Sequence, residues 1–239
     1  MLQFGLSRSG ARARVTPSLP KAMNFDQARF NMIEQQIRPW EVLDPVVLGL
    51  LHEVRREDFV PPEHRALAFA DLELPLGHGE AMMQPKVEAR ILQELALQPH
   101  ETVYEVGTGS GYLTALLARR ARHVTSAEIH PDLKARAAAS LAAAGAANVT
   151  LLAGDSAQRP LADGTYDAIV LTGSTPMLAQ TLLERLAPGG RLFAVVGDPP
   201  VMKAMLVRHA TPGQYEHVEL FETLLKPLVN APQPSRFRF

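Results

Sequence analysis

The run Val103-Tyr104-Glu105-Val106-Gly107-Thr108-Gly109-Ser110-Gly111-Tyr112 decides how the rest of the chain is read. A β-prone segment carries an acid near its end, three glycines follow at alternate positions, and a helical pattern opens directly behind them. Glycines in a first βα turn let the backbone approach a ligand closely, and the N-terminus of the following helix adds unpaired N–H groups. A nucleotide-type ligand is the default inference. The dinucleotide fingerprint G-x-G-x-x-G has a different spacing, and Glu105, two residues ahead of Gly107, would repel a pyrophosphate.

Outward from this turn the pattern alternates. Short β-prone runs at 102–106, 123–129, 149–153, 166–172 and 191–196 are separated by helical runs at 112–122, 132–144 and 177–186. Strict alternation predicts an α/β fold, a Rossmann-like doubly wound and mostly parallel sheet with helices on both faces. Two further runs, 202–209 and 215–223, have no helix between them and predict an antiparallel edge near the C-terminus. Upstream, helices are expected over 25–37, stopped by Pro39, and over 45–55, with Val46, Val47, Leu50 and Leu51 on one face. Together they form an N-terminal helical cap. Residues 59–85 are punctuated by Pro61, Pro62, Pro75, Gly77, Gly79 and Pro85 and read mostly as loop, which is where function concentrates. A helix over 86–97 leads into Pro99.

A carboxylate at Glu105 suits a cation, such as the amino group and sulfonium of S-adenosylmethionine. Glu128 ends the next strand, where a carboxylate can accept hydrogen bonds from both ribose hydroxyls. Asp155, in Gly154-Asp155-Ser156 after the third strand, is placed to accept from the exocyclic amine of adenine. The three acids end three consecutive strands at the edge where ligands of open α/β sheets bind. The expected cofactor contacts are therefore Glu105, Gly107, Thr108, Gly109, Ser110, Gly111, Glu128, Asp155 and Ser156.

This constellation resembles the class I S-adenosylmethionine-dependent methyltransferases. A closer resemblance is carried by Phe59-Val60-Pro61, Ala70-Asp71, Leu74-Pro75-Leu76-Gly77-His78-Gly79 and Gln84-Pro85, followed by 105–112. That series is similar to the protein-L-isoaspartate O-methyltransferase family, over about residues 25–225. The resemblance implies methyl transfer from S-adenosyl-L-methionine to an isoaspartyl carboxylate of a protein or peptide, in protein repair. It also implies an acceptor loop at 77–85, with His78 positioned to orient an acceptor and Asp71 to anchor the loop. In the family the loop typically continues Gln-Thr-Ile-Ser-Gln-Pro, whereas here it reads Glu80-Ala81-Met82-Met83-Gln84-Pro85. Ala81 thus stands at the family's Thr position and Met83 at the Ser position used in its active site. Loss of both hydroxyls leaves two alternatives open beside isoaspartyl methylation: another methyl acceptor, or a non-catalytic module that binds S-adenosylmethionine.

Thr172-Gly173-Ser174-Thr175-Pro176 ends the fourth strand, where Thr175 is expected to cap a helix and Ser174 and Thr175 carry hydroxyls that could serve an acceptor. Trp40 is expected to pack the cap. The histidines and acids show no compact ligand spacing, so no metal site is expected.

The 239 residues, 46% hydrophobic and 21% charged, suit one large α/β domain. No apolar run reaches the ~18 residues that a membrane span needs. The absence of Cys excludes disulfides, thiolate metal sites and cysteine nucleophiles, and suits a reducing, cytoplasmic setting. The net charge of −1 is uneven: Arg8, Arg12, Arg14 and Lys21 give residues 1–22 a charge of +4 with no acid, so the remainder is at −5. Such an acidic body argues against nucleic acid as partner. The expected organisation is a disordered basic leader at 1–22, with upstream extension ahead of Met23 and targeting as its two readings. A single methyltransferase domain at 23–225 follows, divided into the cap and acceptor loop (23–98) and the cofactor-binding core (99–225). A tail at 226–239 trails across the surface and ends in Arg236, Phe237, Arg238 and Phe239. The expected state is a monomer or weak dimer.

Overall fold

Asn24 opens the first ordered element by accepting the Gln27 N–H on its side chain (3.1 Å), which caps α1 (Phe25–Met32). The computed structural model describes residues 23–234; the leader expected at 1–22 and the terminal Arg236, Phe237, Arg238 and Phe239 lie outside the described residues. The helix expected over 25–37 is built in more than one pitch. It widens into a π-turn at Ile33–Ile37 and tightens into a 3-10 turn at Arg38–Trp40. In α2 (Pro45–Glu53) the buried face is Val47, Leu48, Leu50 and Leu51, whereas Val46, expected on that face, points to solvent. Trp40 packs edge-on against Phe221 (5.6 Å) with the Lys86 ammonium 4.3 Å from its ring, so it ties the cap to the far sheet edge.

The stretch expected as loop holds a hairpin, β1 (Leu74–Gly77) and β2 (Glu80–Met82), behind 3-10 turns at Arg56–Asp58 and Pro62–Leu67. Its turn needs positive φ at three successive residues, Gly77 (102°), His78 (54°) and Gly79 (72°), a path that flanking glycines make available to His78. From Pro85 the chain enters α3 (Pro85–Leu95) and then the alternating region. This region comprises β3 (Thr102–Val106), α4 (Tyr112–Ala118), β4 (His123–Glu128), α5 (Pro131–Ala143), β5 (Val149–Ala153) and β6 (Tyr166–Thr175). It continues as α6 (Gln180–Leu183), β7 (Leu186–Asp198), β8 (Val201–Thr211) and β9 (Gln214–Glu222). The sheet order is β5-β4-β3-β6-β7-β8-β9; its strands are parallel from β5 to β7 and antiparallel for β8 and β9, the mostly parallel sheet with an antiparallel edge that the sequence pattern predicts.

Two elements differ from expectation. The helix expected over 177–186 is confined to Gln180–Leu183, because Leu186 is already paired with Tyr166 in the sheet. Thr175 caps no helix: it ends β6, and its hydroxyl donates to the Met177 carbonyl (2.6 Å). The sheet is buried on both faces. Met32, Leu51, Ile91, Leu117 and Phe193 belong to a layer that joins the cap helices to one face, and Tyr104, Ile169, Leu182 and Leu192 form the other. Each fully buried aliphatic or Phe side chain contributes roughly 1.5–3 kcal/mol.

The cap is joined to the acceptor loop by a charge that has no access to water. Arg56 is fully buried; its guanidinium donates to the Ala68 carbonyl (2.9 Å) and the Met83 carbonyl (2.6 Å), pairs with buried Glu88, and lies 4.9 Å from the centre of the Tyr112 ring. Burial pulls its pKa down to about 10, still far enough above neutrality to keep the charge. An Arg56→Met variant leaves Glu88 as an uncompensated buried charge, so it should lose about 3–5 kcal/mol in urea denaturation. A loss below about 1 kcal/mol would show that the pair is not needed for the fold.

Candidate cofactor and acceptor site

The strand order reverses between β3 and β6. From β3 the chain works outward through β4 to β5 on one side, then returns to β6 and β7 on the other, so a crevice opens at the carboxyl ends of the strands. The glycine turn fills this point. Gly107, Gly109 and Gly111 all have positive φ (94°, 54°, 84°). At Gly107 a Cβ would stand 2.3 Å from the Thr172 hydroxyl, which donates to the carbonyls of Val106 (2.9 Å) and Gly107 (2.8 Å) and locks the turn to β6. No residue but glycine fits there.

Glu105 lies beneath this turn with no exposed surface. Its Oε2 accepts from the Ser126 (2.6 Å) and Thr114 (2.5 Å) hydroxyls, and Ser126 is in turn 2.6 Å from the Thr108 hydroxyl. Its other oxygen, Oε1, is buried without a hydrogen-bond partner. Burial pushes its pKa up to about 7; the Ser126 and Thr114 hydrogen bonds oppose the rise and the nearby Glu128 adds to it. An open buried acceptor under a glycine turn is a place that an ammonium or sulfonium would satisfy, so the residues present fit the cationic end of S-adenosylmethionine.

Glu128 accepts the Gly109 N–H (2.8 Å) on one oxygen and the His130 N–H (3.0 Å) on the other, each keeping a lone pair for a ligand hydroxyl. Asp155 accepts from the Ala157 N–H (3.0 Å) and the Asn230 side chain (2.7 Å). Glu128, Asp155 and Ser156 line one open cleft at the carboxyl ends of the strands. The Ser156 hydroxyl itself is committed to Tyr104 (2.6 Å) and the Arg159 carbonyl (2.9 Å), and Ser110 accepts the Tyr112 N–H (3.2 Å) as a local brace. Glu105 does not reach this cleft. It lines a smaller adjoining chamber, together with Thr108, Ala81 and Met83.

Of the acceptor-loop residues, Met83 and Ala81 line both spaces, so the positions that lack hydroxyls lie where the two meet. His78 and Asp71 line neither. His78 stacks on His130 (4.3 Å, 10°) with Nε2 2.9 Å from Asp132, and so fastens the hairpin tip to the start of α5 instead of facing the cleft. Asp71 accepts from Lys86 (2.7 Å), a contact that ties its own segment to α3. Ser174 is buried, with its hydroxyl donated to the Leu225 carbonyl (2.8 Å), and is withdrawn from any acceptor.

The sequence reading missed two parts of the site. Thr172 is one. The other is the segment after β9, expected to trail across the surface: Ser174 accepts the Leu228 N–H (2.9 Å) and donates its own N–H to the Lys226 carbonyl (2.9 Å), and 225–229 becomes a strap along one wall of the cleft. The one available signal was Gly173, where a Cβ would meet Leu228 at 2.9 Å.

A Rossmann-like sheet with a glycine turn over a buried acid at its switch point, and acids at the ends of the next two strands, defines a class I S-adenosylmethionine-dependent methyltransferase. Within that class the chain belongs to the protein-L-isoaspartate(D-aspartate) O-methyltransferase family, whose sequence profile matches residues 27–232. It is 36% identical over 241 residues to protein-L-isoaspartate O-methyltransferase 1 of Rhodopseudomonas palustris (strain HaA2), covering 98% of each chain. It is 42% identical over 193 residues to the enzyme of Anaeromyxobacter dehalogenans (strain 2CP-C), covering 80% of this chain and 92% of that one. The fold superposes with a TM-score of 0.72 on the Plasmodium falciparum β-aspartate methyltransferase solved with S-adenosyl-L-homocysteine, at 19% identity over 87% of this chain and 99% of that one. Among the described residues no helix is long and apolar enough to cross a membrane, and no cluster of three potential ligands could hold a metal.

Two outcomes are expected. A Gly107→Ala variant should abolish binding of S-adenosylhomocysteine in calorimetry, and binding within threefold of wild type would contradict the turn geometry. A folded-state pKa for Glu105 of about 7, against 4.5 unfolded, means that its contribution to stability is full below about pH 4.5 and is lost as the pH rises to 7. The rise corresponds to about 3 kcal/mol. Wild type should therefore lose about that much relative to Glu105→Gln between pH 4.5 and 7 in urea denaturation; a constant difference would refute the buried, proton-holding carboxylate.

Proposed function

We propose that this chain transfers a methyl group to the free carboxylate of isoaspartyl residues in proteins and peptides. The observation that carries the reading is that Ala81 and Met83 line both the chamber over Glu105 and the cleft of Glu128 and Asp155. In this reading Glu105 holds the cationic end of the donor, Glu128 its ribose hydroxyls and Asp155 its adenine. The donor supplies a methyl carbon: a bond forms from it to a carboxylate oxygen as its bond to the sulfonium sulfur breaks, and the bonding pair stays on sulfur. No base is required, because a carboxyl of pKa ~4 is already ionised at neutral pH.

What remains for the protein is positioning and exclusion of water. Arg56 fixes the Met83 carbonyl, and the Met83 side chain, 6% exposed, lends an apolar wall to the reacting space. The missing hydroxyls favour a second reading in which the same donor serves another acceptor, since a flexible Met wall tolerates varied shapes. Labelled donor should transfer methyl to an isoaspartyl peptide; labelling of components of a cell extract alone would favour the second reading, and none in either would leave a binding module. An Ala81→Thr, Met83→Ser variant restores two polar groups, each worth up to the scale of one oxyanion donor, so kcat/KM for the peptide should rise up to ~100-fold. No gain over an active wild type would mean that hydroxyls at these positions are dispensable here.

A further inference from the structure

The cleft is poorly suited to an anion. Glu73, Glu80, Glu128 and Asp155 all line it, and the cation among its lining residues is Lys226. Neither Ala81 nor Met83 offers a hydroxyl to a carboxylate, so with Glu128 and Asp155 turned to the donor an anionic acceptor meets Glu73, Glu80 and one side-chain ammonium.

Lys226 is held where it can serve. Its carbonyl accepts the Ser174 N–H (2.9 Å), and Pro227 forms a parallel bridge with Ser174, so the strap fixes its backbone at the end of β6. From there the side chain crosses to the hairpin, pairs with Glu80 and lies 3.7 Å from where a Cβ on Gly79 would stand. The pair is open to solvent, at 39% and 24% side-chain exposure, and Glu80 has a second neighbour in His130 Nε2 (3.7 Å). An exposed pair of this kind is weak and screened by solvent, so exchanging Glu80 for another carboxylate costs little.

We propose that Lys226 is the acceptor-binding group of this enzyme: its ammonium leaves Glu80 to receive the carboxylate of the isoaspartyl substrate, in place of the hydroxyls that Ala81 and Met83 lack. A charge-assisted hydrogen bond of this type is about twice as strong as a neutral one, and a lysine on one carboxylate oxygen leaves the other free to face the donor. Glu80 then acts as a resident competitor for the ammonium. The inference rests on the carboxylate-methylating reading above and deepens it.

The test compares wild type with Lys226→Met, Lys226→Arg and Glu80→Gln in steady-state methylation of an isoaspartyl peptide, beside calorimetry with S-adenosylhomocysteine. Lys226→Met should raise KM for the peptide at least tenfold, with Kd for S-adenosylhomocysteine within twofold of wild type. Lys226→Arg should recover most of the loss, and Glu80→Gln should lower KM by removing the competitor. A KM for Lys226→Met within twofold of wild type would overturn the proposal. So would equal rises in KM for Lys226→Met and Glu80→Gln, because the pair would then be a structural clasp between strap and hairpin. If wild type binds S-adenosylhomocysteine but labels no isoaspartyl peptide, the carboxylate reading has failed first, and the role of Lys226 falls with it.

Discussion

A buried carboxylate at the end of β3 is the constraint on which the rest of the site depends. Burying Glu105 is costly, and the cost falls on its neighbours: Ser126 and Thr114 donate to one oxygen, Thr108 extends the chain of hydroxyls, and Gly107 to Gly111 keep side chains out of the space above. One oxygen is still unsatisfied. A fold that leaves a buried acceptor open stores part of its binding free energy in advance, because a cationic ligand relieves the defect when it arrives. The same arrangement explains why β3 and β6 must be neighbours. Thr172 reaches from β6 to hold the turn's carbonyls, and it can do so only where the sheet order reverses.

Around this centre, the cap and the strap are held to the site by different physics. The cap is joined to the core through apolar packing and one buried cation, Arg56, which binds two carbonyls and Glu88 at once and so converts helix packing into a fixed position for Met83. The strap is held by two backbone hydrogen bonds at Ser174, by the buried Ser174 hydroxyl on the Leu225 carbonyl, and at its outer side by solvent-exposed polar contacts, Lys226 to Glu80 and Asn230 to Asp155. The Arg56 contacts are dry and costly to break, whereas the outer polar contacts of the strap are wet and exchangeable.

Much of the architecture was legible in the chain because parallel strands and their helices write themselves in local period. Both sheet faces are covered, so 102–106, 166–172 and 191–196 read as apolar runs, and the glycines at 107, 109 and 111 mark a turn that nothing else can form. Element ends were harder to read. α6 is one turn long because Leu186 is taken by Tyr166 across the sheet, and α2 buries Leu48 and leaves Val46 outside because its neighbour, not its own period, sets which stripe is covered.

The sequence by itself determined the alternation of strands and helices from 102 onward, the glycine turn, the acids at 105, 128 and 155, and the absence of hydroxyls at 81 and 83, since each of these is a matter of residue type at a fixed spacing. Tertiary structure alone decided what those groups touch. It drew His78 away to Asp132 and His130, turned the Ser156 and Ser174 hydroxyls inward, and brought Thr172 under the turn and Lys226 to Glu80, 146 residues away in the chain. Contacts at such separations leave no period in the sequence, because they arise from how the sheet folds elements over one another and not from any repeat along the backbone.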